Sequence, residues 1–300
     1  MINGETLKKA IVSASVYIGR HAEEINSINV FPVPDGDTGT NLALTLSGCA
    51  KSLKSCPEGG AGAVADYIAG ELLKCARGNS GVIFSLIFKG FAQSVDGLDY
   101  IDSVSLAKAL DAGCNEAYAA IEKPVEGTML TVIRLAASKA LSAAKSGKSA
   151  KDTFAAAVSA ARASLKSTPE LLPLLKKHGV VDAGGRGLVC IMEGMLNFSE
   201  NGSILSSQRK NTVSLSENEI EFAYCTEFLI NCSKNIDIKE FRSFLSEIGD
   251  CPAAAEHSGI IKVHVHTNRP DKALEKALGI GELSSIKIDN MRYQSQNTGR

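Results

Sequence analysis

The chain has 300 residues, enough for two domains with cores of their own. Its 32 basic and 33 acidic side chains nearly cancel, and it has no Trp, so no global field or base-stacking platform points to nucleic acid or an anionic membrane. The eight cysteines are scattered singly, the first residues lack a signal-peptide block and no apolar run reaches membrane-span length; a reduced, cytoplasmic protein with no membrane span is expected.

Residues 1–200 are rich in Ala, Leu, Ser and Lys, with apolar residues at helical spacing. A first helix is expected over about Leu7–Ile25. A second follows an acidic loop, with Leu42, Leu46, Cys49, Ala50 and Leu53 at helical spacing and Thr40 or Asn41 as N-cap. Six more run over Ala63–Cys75, Val82–Ala92, Ser105–Ile121, Met129–Lys145, Ala150–Leu165 and Leu188–Phe198, separated by glycine-bearing breaks. Residues 201–212 are polar and suit a linker. In residues 213–300 the texture changes. Glu221–Asn231 and Gly259–Thr267 read as strands, Ile238–Ile248 and Asp271–Leu278 as short helices, and Ser285–Asp289 as a last strand. The order strand, helix, one or two strands, helix, strand suggests a small α/β sandwich of ferredoxin-like type. The fold class is thus an all-α domain followed by a small α/β domain.

Four loops carry the chemistry. Asn29 to Asn41 read N-V-F-P-V-P-D-G-D-T-G-T-N, with Asp35 and Asp37 on either side of one glycine. Carboxylates at i and i+2 in a tight turn converge on one hard cation, and Mg2+ reaches proteins through one or two carboxylates plus substrate phosphates. Arg77-Gly78-Asn79-Ser80-Gly81 opens the apolar helix at Val82, whose free N–H groups and dipole suit phosphate. Ser80 adds a hydroxyl there and Arg77 a charge. Pro124–Met129 opens another helix behind Thr128, and Val180–Gly187 a third, with Asp182 and Arg186. Each loop alone is more often a plain turn. Four together in one helical domain point to a metal-nucleotide site. Gly147-Lys148-Ser149 is a different matter: Ser142 stands where a P-loop needs glycine, so it reads as an interhelical turn.

A separate signal lies in the second domain. His264 and His266 alternate on one strand and face one side, about 7 Å apart along it. A Cys from a neighbouring strand would complete two nitrogens and one sulfur suited to zinc.

The segments INVFPVPDGDTGTN, ARGNSGVIFS, KPVEGTMLTV and VVDAGGRGL resemble the DhaL-type nucleotide-binding domain shared by dihydroxyacetone kinases and bacterial fatty acid kinases. With YCTEFLI, KVHVHT and ELSSIKIDNMR, the chain looks most similar to the ATP-binding subunit of fatty acid kinase. The resemblance implies an up-and-down barrel of eight antiparallel helices with ATP or ADP at one end, its phosphates chelated through two Mg2+. It assigns Asp35 and Asp37 to Mg2+, and Thr38, Gly39, Thr40 and Asn41 to phosphate. Asn79, Ser80, Gly81, Thr128 and Met129 go to the nucleotide; Asp182, Ala183, Gly184 and Gly185 go to its purine or ribose side. Arg77 and Arg186 are candidates to stabilise transferred charge from their place in the motifs. Dihydroxyacetone kinases carry a third metal-binding Asp where Val30 stands here; the amide oxygen of Asn29, or a water, is the expected substitute. The resemblance also assigns zinc to Cys225, His264 and His266, with water, Asp250, Cys251 or His257 open as fourth ligand.

By the same resemblance the chain is expected to be a kinase subunit that phosphorylates a fatty acid, presented by a separate binding protein, to an acyl phosphate. A homodimer is also expected. Such an acceptor is ionised near neutral pH and needs no general base. A dihydroxyacetone-kinase-like phosphotransferase and a non-catalytic nucleotide-binding scaffold are the alternatives. Family members of this type are usually longer, with a third domain after the string resembling KIDNMR, so this chain is expected to cover the first two.

Overall fold

The structure is a computed structural model and describes residues 1–201, 221–232 and 237–292. Eight long helices follow in chain order: α1 (Gly4–Ser27), α2 (Thr38–Ser52), α3 (Ala61–Cys75), α4 (Gly78–Ser94), α5 (Ser103–Ala120), α6 (Met129–Lys145), α7 (Ala150–Leu171) and, after the short α8 (Pro173–His178), α9 (Ala183–Asn201). Each long helix packs on the next, and α9 closes the ring against α1. The expected eight-helix barrel is present. The extra α8 went unforeseen because six residues are too few to show a period; Pro173 starts it and Gly179, at φ +66°, ends it.

Local chemistry sets the helix starts. Asn3 caps α1 by accepting from Thr6 N at 2.9 Å, Asp102 caps α5 from Ser105 N at 2.7 Å, and Ser149 caps α7 from Asp152 N at 3.1 Å. Leu7, Ile11, Ala14, Ile18 and Ile25 then recur on the buried face of α1. α4 is apolar nearly all round, because α3 and α5 flank it in the ring and the second domain covers it from outside.

That second domain runs β1 (Tyr224–Asn231), α10 (Ile238–Ile248), β2 (Gly249–His257), β3 (Ile260–Thr267), α11 (Pro270–Leu278) and β4 (Glu282–Asn290). The sheet order is β2-β3-β1-β4 with every neighbour antiparallel, the ferredoxin-like arrangement expected. The middle of the pattern holds two strands. β2 showed weakly in sequence because Gly249–Ala255 has no β-branched residue. The linker expected at 201–212 lies outside the described residues, apart from Asn201.

The central strands β1 and β3 are buried on both faces while β4 is largely exposed, and period-two alternation divides the buried residues between the faces. Phe228, Ile230, Ala254, Ile261, Val263 and Val265 pack with Phe241 and Leu245 of α10 and Ala273 and Ala277 of α11. Ala253 and Ala255 instead join the core of the barrel. Cys225, Glu227, Lys262, His264 and His266 share this second face, turned toward the helices.

Gly39 lies in the tight crossing of α1 and α2, where a Cβ would stand 2.1 Å from the Ala22 carbonyl oxygen. This corrects the expectation that Gly39 admits a phosphate: its lack of a side chain admits a helix. Gly39→Ala is therefore expected to destabilise the protein by about 1–3 kcal/mol through overpacking. A thermal melt unchanged from wild type would contradict that crossing.

Candidate functional site

The acidic segment turns between α1 and α2 and is pinned by two asparagines. Asn29, 1% exposed, donates to Val33 O at 2.8 Å, while its oxygen accepts from Thr38 N at 3.1 Å and from the Thr38 hydroxyl. Asn26 Oδ1 accepts from Gly39 N at 2.8 Å and Thr40 N at 3.1 Å, and Asn41 N donates to Asp37 O at 2.8 Å. Three corrections follow. α2 starts at Thr38 behind Asp37, and side chains of α1 and the acidic segment cap it rather than Thr40 or Asn41. The four N–H groups of Thr38–Asn41 are spent inside the protein, so this run is no backbone cradle for phosphate. The Asn29 oxygen, offered above as a metal ligand, faces Thr38.

Asp35 and Asp37 face one another. Asp35 keeps some accessible surface, yet its carboxyl group is densely surrounded. That burial, then the charge of Asp37 and a hydrogen bond to it, hold the Asp35 carboxyl well above the usual range. Two carboxylates held this way are costly without a cation between them.

Beside them opens a cleft of about 370 Å3. All four glycine-bearing loops reach it, through Thr38, through Asn79 and Ser80, through Thr128 and Met129, and through Asp182 and Gly184. The second domain supplies a further wall from Ser246 and Gly249–Pro252. Among the described residues lining it, Lys123 is the cation. A smaller pocket of about 40 Å3 holds Asp35, Asp37, Asn41, Cys225, His264 and His266. The two share Pro32, Thr38, Asn79 and Ser80 and form one continuous site.

The α4 terminus is the best prepared anion position. Gly78 sits at φ +58°, and a Cβ there would stand 2.4 Å from Asn41 Nδ2. Its N–H donates to Glu227 Oε1 at 2.5 Å, and Arg77 N donates to Thr45 Oγ1 at 3.0 Å. The N–H groups of Asn79 and Ser80 have no protein acceptor among the described residues. Gly81 is committed to packing, since a Cβ would meet Thr45 Oγ1 at 2.6 Å.

The other two loops are more self-contained. Thr128 caps α6: its hydroxyl donates to Val125 O at 2.7 Å and accepts from Leu130 N at 3.4 Å. Asp182, 4% exposed, accepts from Gly185 N at 2.6 Å and from Met129 N, tying α9 to α6. Burial pushes its carboxyl up to about 7, against the pull of those two N–H groups. Ala183 is a core residue, and Gly185 packs where a Cβ would meet Val132 at 3.0 Å.

Neither candidate arginine lines the cleft, which corrects both assignments. Arg186 pairs with Glu24 at 2.8 Å and Glu193 at 3.7 Å, and Arg77 with Glu227 at 3.7 Å.

The Cys–His expectation finds its geometry. Cys225, His264 and His266 offer ligand atoms all within 4.8 Å of one another. In the β1–β3 register Cys225 stands opposite His266, and Glu227 opposite His264. The imidazoles are 1% and 4% exposed, with ring centroids 4.9 Å apart. His264 Nδ1 faces Glu227 at 3.2 Å, while its buried Nε2 has no hydrogen-bond partner. Burial, then the charges of Glu227, Asp37 and Asp35, push the Cys225 thiol up. Of the candidate fourth ligands, Asp250 and Cys251 group with His266. His257 lies instead 3.4 Å from Asp66 on α3.

Sequence reasoning missed Asn26, Glu227 and Lys262, and it named Asp250 and Cys251 only as candidate zinc ligands, not as part of a cleft wall at 246–252. Glu227 and Lys262 were signalled by period two: they share the face of Cys225 and of His264 and His266 in otherwise apolar strands. The wall had no such sign, since a β-bulge between Asp250 and Ala253, with Cys251 at φ +50°, turns it into the cleft.

Comparison with known proteins now bears on this geometry. A DAK2 domain model matches residues 32–197, and a model for the FakA-like middle domain of fatty acid kinase matches residues 221–298. Protein YloV of Bacillus subtilis is 38% identical over 310 residues, covering 98% of this chain and 56% of that protein. An uncharacterized protein of Staphylococcus epidermidis is 36% identical over 314 residues, covering 100% of this chain and 57% of its own length. The chain thus spans little more than half the length of these curated relatives. A crystal structure of the dihydroxyacetone kinase of C. freundii in complex with AMP-PNP and Mg2+ overlaps 63% of this chain and 33% of its own, at 19% identity and a TM-score of 0.49. Among the described residues no helix is long and apolar enough to cross a membrane.

Two pH-linked outcomes are expected. A carboxyl raised in the folded state contributes stability that is full below its unfolded value and lost as pH rises through its folded one. Asp35→Asn should therefore raise the melting temperature in metal-free buffer near pH 7.5, while losing the increase that Mg2+ with nucleotide gives wild type. A variant that melts below wild type in chelator would refute the strained pair. For Asp182 the window lies between about 4, the unfolded value, and about 7. The stability of Asp182→Asn relative to wild type should improve as pH rises from 5 to 8; paired melts whose difference stays constant across that range would exclude the raised carboxyl.

Proposed function

The chain belongs to the family of DAK2-domain proteins, here joined to a FakA-like middle domain of the fatty acid kinase type, and we propose that it is an ATP-dependent phosphotransferase subunit. Its proposed acceptor is the carboxylate of a fatty acid presented by a separate carrier protein, and its product an acyl phosphate. The observation that carries the reading is convergence: four loops far apart in sequence meet in one cleft, with the strained Asp35–Asp37 pair beside it. A homodimer, as the family implies, and a cytoplasmic location, as the singly scattered cysteines suggest, belong to the proposal.

Asp35 and Asp37 fit magnesium, because two carboxylates are held together and, among the described residues lining their pocket, no Lys or Arg stands beside them. Two bound Mg2+ ions would neutralise the β- and γ-phosphates. The free N–H groups of Asn79 and Ser80 receive phosphate oxygens, and Lys123 at the rim adds charge. Ile83, Ile121 and Met129 offer an apolar wall for the adenine ring and exclude water from it. Transfer requires the acceptor oxygen to bond to the γ-phosphorus while the bond to the ADP oxygen breaks and ADP leaves with the electron pair. An ionised carboxylate attacks without a base, so the work of the chain is positioning and charge neutralisation.

The proposal extends to a second cation, zinc, at Cys225, His264 and His266. The buried, unpartnered His264 Nε2 supports it, as does a donor set of one sulfur and two nitrogens.

Transfer from γ-labelled ATP tests the reading. Label should reach hydroxylamine-trappable acyl phosphate only with lipid-loaded carrier, and be lost in Asp35→Ala and Asp37→Ala by at least about 100-fold. Label in dihydroxyacetone phosphate would favour a glycerone kinase, and tight nucleotide retention with neither product a scaffold.

A further inference from the structure

We propose that Glu227 is a positioning residue that couples the Cys225–His264–His266 cation site to the nucleotide loop at the start of α4. The inference rests on the cation reading given above and adds to it a physical link between two sites. Glu227 is 2% exposed, and both of its oxygens are committed. Oε1 accepts from Gly78 N at 2.5 Å and faces His264 Nδ1 at 3.2 Å. Oε2 accepts from the buried Lys262 Nζ at 3.2 Å and lies 3.7 Å from Arg77. One carboxylate therefore holds an imidazole on β3 and the first N–H of the helix whose next two N–H groups face the cleft.

Each half of the link has a chemical consequence. A carboxylate at Nδ1 keeps the proton on that nitrogen and leaves the Nε2 lone pair for a cation, as outer carboxylates do for metal-bound histidines. Of the two His264 nitrogens, Nε2 is buried without a partner, while Nδ1 also lies 3.8 Å from Cys225 Sγ. Asp250 Oδ1 stands 3.2 Å from His266 Nδ1 without a hydrogen bond between them, so of the two imidazoles only His264 is held by its carboxylate. On the other side, the hydrogen bond to Gly78 N fixes the left-handed Gly78 against Asn41 and aims Asn79 and Ser80. A cation that orders His264 orders Glu227, and through it the α4 terminus. Binding at either site then favours the other by the same factor, as linkage requires.

Co2+ serves as the probe, because its visible bands report thiolate and imidazole ligation without turnover. For the full chain, Co2+ affinity is measured by chelator competition with and without Mg-ADP. Wild type is expected to bind Co2+, more tightly by about 5-fold or more when Mg-ADP is present. Glu227→Met/Lys262→Met removes the buried charge together with its partner. It should stay folded while losing about 10- to 100-fold in Co2+ affinity, its band positions, and the effect of Mg-ADP. Should that variant fail to fold, Glu227→Asp keeps a charge for Lys262 but withdraws the oxygens by one methylene, and the same losses are expected. A folded variant with wild-type Co2+ affinity, spectrum and Mg-ADP effect would overturn the role of Glu227 and leave the cation site standing. Wild type that takes up no Co2+ would overturn the cation site itself.

Discussion

The inner face of the sheet is buried although it carries two imidazoles, a thiol, a carboxylate and an ammonium, and the rest of the structure answers to that constraint. Groups of this kind are tolerated away from water only when each has a partner. Glu227 meets most of the need. Burial alone would raise its carboxyl, but His264, Lys262 and Gly78 N outweigh it and hold the group well below the usual carboxylate range. For Lys262 the balance falls the other way, and burial lowers its ammonium despite Glu227. The 3.2 Å contact between them supports a charged pair, since neutralising either partner would leave the other buried alone. The same contacts dock the sheet on α4, so the polar site and the domain arrangement share one set of bonds.

Within this cluster His264 Nε2 and His266 Nδ1 still lack hydrogen-bond partners, and beside it lies a second group whose charges are unbalanced. Asp35, Asp37 and Cys225 crowd a small pocket where burial and the neighbouring carboxylates raise the cost of negative charge, against a smaller opposing pull from Lys287 and backbone N–H groups. A chain selected for stability alone would place a cation or an apolar group there. Instead Asn26 and Asn29 spend four hydrogen bonds of 2.8–3.1 Å on holding the acidic loop in shape. Rigid support around a strained centre is the pattern of a site built for something added from outside, and it favours positively charged ligands.

Much of this was legible in the sequence. The eight long helices followed from apolar period, and the ferredoxin-like order from short β-rich and amphipathic runs between polar breaks. The loops with Asp35 and Asp37, Asn79 and Ser80, Thr128 and Met129, and Asp182 and Gly184 all reached the cleft, and Cys225, His264 and His266 the smaller pocket beside it. The misassigned residues share a physical cause. Gly39, Gly81, Ala183 and Gly185 belong to the same motifs but serve helix packing, and small residues look alike in sequence whether a ligand or a helix comes close. Arg77 and Arg186 carry charge that partners distant in sequence claim. Those partners, Glu227 and Glu24, are visible only once the chain is folded. The wall at 246–252 was hidden for another reason: a bulge re-aims side chains without leaving a pattern.

That wall changes how the second domain is understood. Gly249–Pro252 and Ser246 face the same space as Asn79 and Thr128, and the Ser246 hydroxyl donates to Glu122 across the cleft. Ala253 and Ala255 meanwhile sit in the core of the barrel. A module appended for a separate purpose would contribute neither core residues nor a wall. Because the cleft is made by both domains, a ligand that fills it adds contacts to both at once and strengthens their docking by the free energy of its own binding. Separation of the domains would dismantle the pocket containing Asp35 and His264 together. On the proposed reading, nucleotide binding, cation binding and domain docking would be aspects of one equilibrium, with the buried carboxylate on β1 where the three meet.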